Sequence, residues 1–172
     1  MQMIEEEMKR LKGEYVEEED SGDSLIRVET HIEDNYVSDE TVKIEIHQMI
    51  NEIDSYKKLV DVKEQLIDRF GQVTPQMEVY MYEEWFEKLA ERMNITEVVQ
   101  NQRLIAITLP EEISSQIKGD KLFLEAYNIN PNFNLKYENK KITISLNFLQ
   151  QKKHFIYDVV KLLQLILDDL EV

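Results

Sequence analysis

The spacing of apolar residues divides the chain into segments of helical and of strand periodicity. Between about residue 38 and residue 93, three stretches place an apolar residue at every third or fourth position, which predicts three amphipathic helices. Ser38 or Asp39 is the expected N-cap of the first, Gly71 ends the second, and Thr74 with Pro75 begins the third. The expected buried stripes are Val42, Ile46, Met49, Ile50 and Ile53 in the first helix, Leu59, Val62, Leu66 and Phe70 in the second, and Tyr82, Phe86, Leu89, Ala90 and Met93 in the third, with Trp85 at the margin.

The second half of the chain alternates between strand and helix patterns. Strands are predicted at Glu97–Gln100 and Leu104–Thr108, and residues 133–148 form the clearest hairpin, with a turn at "ENK". One or two short helices are expected between these pairs, and a long closing helix over about residues 150–170. This order predicts an α+β fold in which helices pack with a small antiparallel sheet built from hairpins.

The closing helix, "HFIYDVVKLLQLILDDLEV", is apolar nearly all round. Such a helix usually lies buried between layers, and we expect burial here. The alternative is an exposed apolar patch that binds a partner.

The first 30 residues follow a different pattern. A helix is predicted over residues 1–13, an acidic linker over 14–24 and a strand over 25–30. The helix has no N-cap, so we expect it to be the end of an element that belongs to an upstream domain.

Composition narrows the classes of function. The chain has 42% hydrophobic and 32% charged residues, no cysteine and no apolar run of bilayer length, which leads us to expect a cytoplasmic protein outside the membrane. Its formal charge is −15, from 35 acidic and 20 basic residues. Because nucleic-acid binding depends largely on Lys and Arg, we expect no direct contact with DNA or RNA. A partner with a basic surface fits this charge better.

No catalytic, cofactor-binding or metal-binding residues are predicted. The four glycines are too far apart to form a phosphate-binding loop, and no GxSxG motif is present. His31, His47 and His154 do not have the spacing of metal ligands, and His47 is expected to be solvated or to cap a helix. The sequence "DRFG" at residues 68–71 superficially resembles a kinase motif, but its helical context and the missing companion motifs make that resemblance accidental.

Two stretches resemble the C-terminal domain of bacterial transcription-repair coupling factors (the Mfd family). They are "NYVSDETVKIEIHQMI" at residues 35–50 and "LVDVKEQLIDRFGQVTPQMEVY" at residues 59–80. That family shows a Tyr or Phe followed by "I-P-D" before the first helix, and then "ELxDRFGxxP". The matching residues here are Tyr36, Val37, Ser38 and Asp39, then Leu66, Asp68, Arg69, Phe70 and Gly71, with Pro75 one residue later than the common proline.

The resemblance implies a non-catalytic part of an ATP-dependent DNA translocase that displaces stalled RNA polymerase and recruits the repair protein UvrA. Residues 1–13 would then end a helix of the preceding translocase domain, and residues 25–172 would form the C-terminal regulatory domain. In the family, this domain docks on the UvrB-like module of the same protein, covers its UvrA-binding surface and helps to hold the resting protein inhibited.

The resemblance also suggests where docking takes place. Asp61, Glu64, Gln65 and Asp68 lie at helical spacing on the side of the second helix opposite its apolar stripe, and Arg69 follows them. Family members often carry Glu at the position of Gln65, so this chain has one charge fewer there. We expect these five residues to form the docking contact, with a solvated face as the simpler interpretation. The remaining alternative is an acidic adaptor that binds another protein in trans, through the last helix.

Overall fold

The computed structural model describes residues 32–171. Within this range the helices are α1 (Glu40–Asn51), α2 (Tyr56–Phe70), α3 (Pro75–Arg92), α4 (Glu111–Ser114), α5 (Gly119–Ile129) and α6 (Ile156–Glu171), and the strands are β1 (Glu97–Gln100), β2 (Leu104–Thr108), β3 (Phe133–Glu138) and β4 (Lys141–Asn147). The predicted helix over residues 1–13, the acidic linker, the strand over 25–30 and His31 lie outside the described residues.

The four strands form one antiparallel sheet in the order β1-β2-β4-β3. Each predicted hairpin is present, and β2 pairs with β4 to join the two hairpins into a single sheet. One face of the sheet is apolar, with Ile105, Ile107, Ile142, Ile144 and Leu146 all buried. The predicted α+β class, with helices packed against a small antiparallel sheet, is confirmed.

Helix α6 lies between the sheet and the helical block. Its residues Val159, Leu162 and Leu163 face the apolar side of the sheet, while α3 and α5 pack against other sides of the helix. Val160, Ile166 and Leu167 are buried as well. Burial of the closing helix is therefore confirmed, with Lys161 and Leu165 among the described residues that keep part of their surface exposed.

Helices α1 and α2 both pack against α3. Their first turns are held by local caps: Asp39 accepts hydrogen bonds from Thr41 and Val42, Ser55 from Lys58, and Thr74 from Met77. The predicted apolar stripes face the core, and Ile46, Leu66 and Phe86 are fully buried. The caps and stripes together fix which side of each helix remains in water.

Two side chains differ from their predicted environments. Trp85, expected at the margin of the core, is only 5% exposed. His47, expected to be solvated or capping, is half-buried, and its Nδ1 lies 2.8 Å from the Tyr80 hydroxyl. The burial of Trp85 and the contact of His47 with Tyr80 both depend on helices that pack together only in the folded chain.

The closing helix begins at Ile156 rather than near residue 150. The amide of Asn130 donates to Gln151 and to the buried carboxylate of Asp158, each at 2.9 Å, and this holds the preceding segment as a loop. His154 Nδ1 then accepts the backbone N–H of Ile156 at 3.1 Å, which caps the first turn. Long-range hydrogen bonds therefore override the helical propensity of residues 150–155.

Candidate docking surface

The outward side of α2 carries the polar residues that the sequence pattern selected. Asp61, Glu64, Gln65 and Asp68 are all exposed, while Leu59, Val62 and Leu66 on the opposite side are buried. Gln65 Nε2 donates to Asp61 Oδ2 at 3.2 Å, one helical turn away. We call these four residues the α2 acidic face.

Three carboxylates of the α2 acidic face keep their charge exposed to solvent. The ion pairs found within residues 32–171 do not include Asp61, Glu64 or Asp68. Exposed charges of one sign attract a complementary surface over roughly a Debye length, about 8 Å at physiological ionic strength. This arrangement suits encounter with a basic partner.

Arg69 has a different environment from the other predicted docking residues. Its Nη1 and Nη2 donate to the two carboxylate oxygens of Glu45 at 2.9 and 3.3 Å, and its guanidinium lies 4.8 Å from the centre of the Phe70 ring. The hydrogen bonds and charge of Arg69 lower the pKa of Glu45. Arg69 therefore joins α2 to α1, and within the described residues its charge is already paired.

Three residues of the predicted motif, Tyr36, Phe70 and Gly71, contact one another at the end of α2. The Tyr36 hydroxyl lies 3.0 Å from the carbonyl oxygen of Gly71 and 3.3 Å from that of Leu66, so both acceptors share one donor. Its ring meets Phe70 edge-on, with centroids 6.2 Å apart. Tyr36 thus fixes the last turn of α2 and with it the direction of Asp68.

The other motif residues have separate roles. Asp39, and not Ser38, accepts the hydrogen bonds that cap α1. Gly71 ends α2 with a φ of 94°, and Pro75 occupies the first turn of α3. "DRFG" is therefore a helix end held by tertiary contacts.

A further contact ties α2 to the core. Lys63 pairs with Glu78 on α3, and the Tyr157 hydroxyl of α6 donates to the same carboxylate at 3.0 Å. Burial raises the pKa of Glu78, but the hydrogen bonds from Lys63 and Tyr157 outweigh it and leave the pKa lowered. The α2 acidic face is consequently presented from a helix fixed on three sides.

The described part of the chain gives little support to other classes of site. Residues 32–171 hold no group of three or more His, Asp or Glu side chains placed to bind a metal ion. The same residues contain no helix long and apolar enough to cross a bilayer.

Comparison with known proteins decides the family. The sequence model of the TRCF domain family matches residues 26–119, which is more than half of the chain. The chain belongs to the TRCF domain family. The match includes α1, α2, α3 and both strands of the first hairpin.

Relatives of this family match most of the chain. The transcription-repair-coupling factor of Bacillus subtilis is 25% identical over 147 residues, and that of Staphylococcus epidermidis is 25% identical over 154 residues. These alignments span 84% and 87% of the chain but only 12% and 13% of the relatives. The crystal structure of the C-terminal domain of a transcription-repair coupling factor has the same fold, with a TM-score of 0.63 and 19% identity, over 85% of this chain and 89% of that one.

The partners that orient the site carry no local sequence signal. Glu45 lies 24 positions before Arg69, and no local pattern marks it as the partner of that arginine. The only available signal was its outward position beside the α1 stripe.

Proposed function

We propose that this chain is a non-catalytic regulatory domain of a transcription-repair coupling factor. It docks through the α2 acidic face onto a basic surface of the UvrB-like module of the same protein. Docking covers the surface that binds UvrA and favours an inhibited state of the ATP-dependent DNA translocase. UvrA and RNA polymerase are then indirect partners, since they act on the longer protein.

The observation that carries this proposal is the row of exposed carboxylates on a helix held by tertiary contacts. Asp61, Glu64 and Asp68 are exposed, lie outside the ion pairs of the described residues, and project from a helix anchored by Tyr36 and Glu78. A surface that is charged and already ordered loses little conformational entropy on binding.

Charge alone makes such docking weak and reversible. An exposed ion pair contributes about 0.2–1 kcal/mol, so the three carboxylates together supply at most about 3 kcal/mol. An apolar contact must therefore contribute the rest of the binding free energy. Ile44, on the helix that Arg69 joins to α2, is 58% exposed and offers one.

Charge reversal at Asp68 tests the docking surface. The Asp68→Lys variant of the 172-residue chain should bind the separately produced UvrB-like module more weakly, by about fivefold or more at low salt. The measurement is calorimetric or optical titration at two ionic strengths. In the full-length protein the same substitution should raise the affinity for UvrA, because the docked state becomes less populated.

Glu91→Lys is the matched control. Glu91 is exposed, like Asp68 lies close to the C-terminus of a helix, and is outside the α2 acidic face. Both substitutions change the net charge equally and place a cation where the helix dipole favours one. If both variants weakened binding equally, the effect would come from net charge and not from the position of Asp68. If the unmodified domain did not bind the UvrB-like module, the proposal would be refuted.

A further inference from the structure

A second surface lies on the other side of the helical block, where the N-terminus of α2 meets α3 and α6. The structure has a cleft of about 480 Å³ there. It is lined mainly by aromatic and basic side chains, namely Tyr56, Tyr82, Trp85, Tyr157, Lys153 and Lys161. This cleft does not include any residue of the α2 acidic face.

The four aromatic rings form a continuous series along the cleft. Centroid distances are 6.1 Å from Tyr56 to Trp85, 5.7 Å from Trp85 to Tyr82 and 4.6 Å from Tyr82 to Tyr157. Successive rings are tilted by 40–62°, so the series presents ring faces and edges and not one flat surface. Such a surface accepts flat or ring-shaped apolar groups between neighbouring rings.

The polar groups of the cleft are mostly hydrogen-bond donors. Trp85 Nε1 and the Tyr157 hydroxyl are used internally, on Gln164 at 3.3 Å and on Glu78 at 3.0 Å. Within the described residues, the hydroxyls of Tyr56 and Tyr82 make no hydrogen bond. These two hydroxyls can donate to the carbonyl oxygens of a bound chain.

The charge of the cleft is opposite to that of the molecule. Among the described residues that line the cleft, Lys153 and Lys161 are cations and Asp158 is the one acid; Asp158 is 3% exposed and bonded to Lys153 and Asn130. Lys161 is exposed and takes part in none of the ion pairs found within residues 32–171. Because Lys153 is paired with Asp158, Lys161 supplies the one uncompensated charge among the described lining residues, and in a chain of formal charge −15 this cation favours an acidic occupant.

We propose that this aromatic cleft binds an extended, proline-containing peptide segment that carries acidic side chains. A polyproline II helix has no internal hydrogen bonds, so its carbonyl oxygens can accept from the tyrosine hydroxyls. It has three residues per turn and rises about 3.1 Å per residue, so every third residue returns to the same side of the helix about 9 Å further along. Aromatic-lined grooves recognise such segments in several unrelated domains.

Binding in the aromatic cleft is independent of the proposed docking of α2. It rests on Tyr56, Tyr82, Trp85, Tyr157, and the two lysines, and it would hold if the α2 acidic face had no partner. The occupant is a segment of a partner protein, supplied in trans.

Trp85 provides the test, since it is the single tryptophan of the chain and lies in the cleft wall. Its fluorescence should change saturably when the 172-residue chain is titrated with a blocked peptide of repeating Glu-Pro-Pro. A Lys-Pro-Pro peptide should bind about tenfold more weakly because of the lysines, and a Glu-Ala-Ala peptide should also bind more weakly because it does not adopt the extended form.

Substitutions at exposed positions locate the binding. Tyr56 is 59% exposed, so Tyr56→Ala should leave the fold intact and weaken Glu-Pro-Pro binding about fivefold to tenfold. Lys161→Glu should remove the preference for the acidic peptide. The controls are Tyr127→Ala, at a tyrosine 55% exposed on α5, and Lys118→Glu, at an exposed lysine outside the cleft, and both should bind like the unmodified chain.

Several results would overturn the proposal. Equal binding of Glu-Ala-Ala would show that charge suffices and that the extended form is not recognised. Equal weakening by Tyr127→Ala would place the peptide elsewhere. Concentration-dependent self-association in the ultracentrifuge that Tyr56→Ala abolishes would make a second copy of the chain the occupant.

Discussion

Replacing Gly71 by alanine isolates the role of backbone conformation at the end of "DRFG". Gly71 has a φ of 94° and a ψ of −172°, a combination that side-chain-bearing residues rarely adopt. A Cβ added at Gly71 would meet no atom within 4 Å, so steric contact with neighbours adds nothing to the cost. The expected loss is the backbone strain itself, about 1–3 kcal/mol of unfolding free energy.

The chain contains a matched control for this substitution. Gly119, the first residue of α5, also has open space where a Cβ would lie, but it has no positive φ. Gly119→Ala should leave the unfolding free energy unchanged or raise it by up to about 1 kcal/mol, because alanine restricts the unfolded chain. The difference between the two variants therefore measures the conformational requirement at Gly71.

The assay is chemical and thermal unfolding, monitored by circular dichroism. A loss of about 2 kcal/mol corresponds to a midpoint lower by roughly 4–8 °C in a domain of this size. Equal stability of Gly71→Ala and Gly119→Ala would refute the reasoning. It would mean that the end of α2 adopts a different backbone conformation without cost, and that the Tyr36 hydrogen bond does not hold it.

Two further predictions concern buried hydrogen bonds. Ser114→Ala should lower the free energy of unfolding by about 1–3 kcal/mol, because the buried Ser114 hydroxyl accepts the N–H of Ile142 at 2.9 Å and donates to the carbonyl oxygen of Leu109. The control Ser115→Ala, at an exposed serine, should lower it by less than about 0.5 kcal/mol in the same denaturant titrations. Burial lowers the pKa of His154 from its ordinary 6.5, so folding stability should be full above pH 6.5 and should fall as the pH decreases below it. His154→Asn keeps an acceptor for the cap without titrating, and an unfolding free energy that changes with pH as in the unmodified chain would contradict this assignment.

Local sequence signals account for most of the secondary structure. Thr74 and Pro75 begin α3 because a side-chain acceptor and a fixed φ satisfy the first turn from within a few residues. The strands Glu97–Gln100 and Leu104–Thr108 have the predicted bounds because alternation of period two determines which residues face the core. Both signals act over less than one turn or one hairpin, so they are readable without knowledge of the fold.

The contacts that build the two surfaces are of a different kind. Arg69 reaches Glu45 across 24 positions, and Tyr157 reaches Glu78 across 79. A carboxylate at either position looks like an ordinary exposed helix residue until the helices pack. The outward direction of the α2 acidic face was predictable from helical period alone, whereas the aromatic cleft depends on three helices meeting.

Helix α2 contributes to both proposed surfaces, yet its geometry keeps them apart. Tyr56 and Asp68 are separated by about 18 Å along the axis at 1.5 Å per residue, and Tyr56 lies roughly 130° around the helix from the centre of the α2 acidic face. A peptide bound beside Tyr56 therefore leaves Asp61, Glu64 and Asp68 uncovered. Because Lys63 and Arg69 tie the helix to α3 and α1, a change at one surface has no flexible segment of α2 through which to disturb the other. A substitution in the α2 acidic face should therefore weaken docking without changing peptide binding, and a substitution in the aromatic cleft should do the reverse.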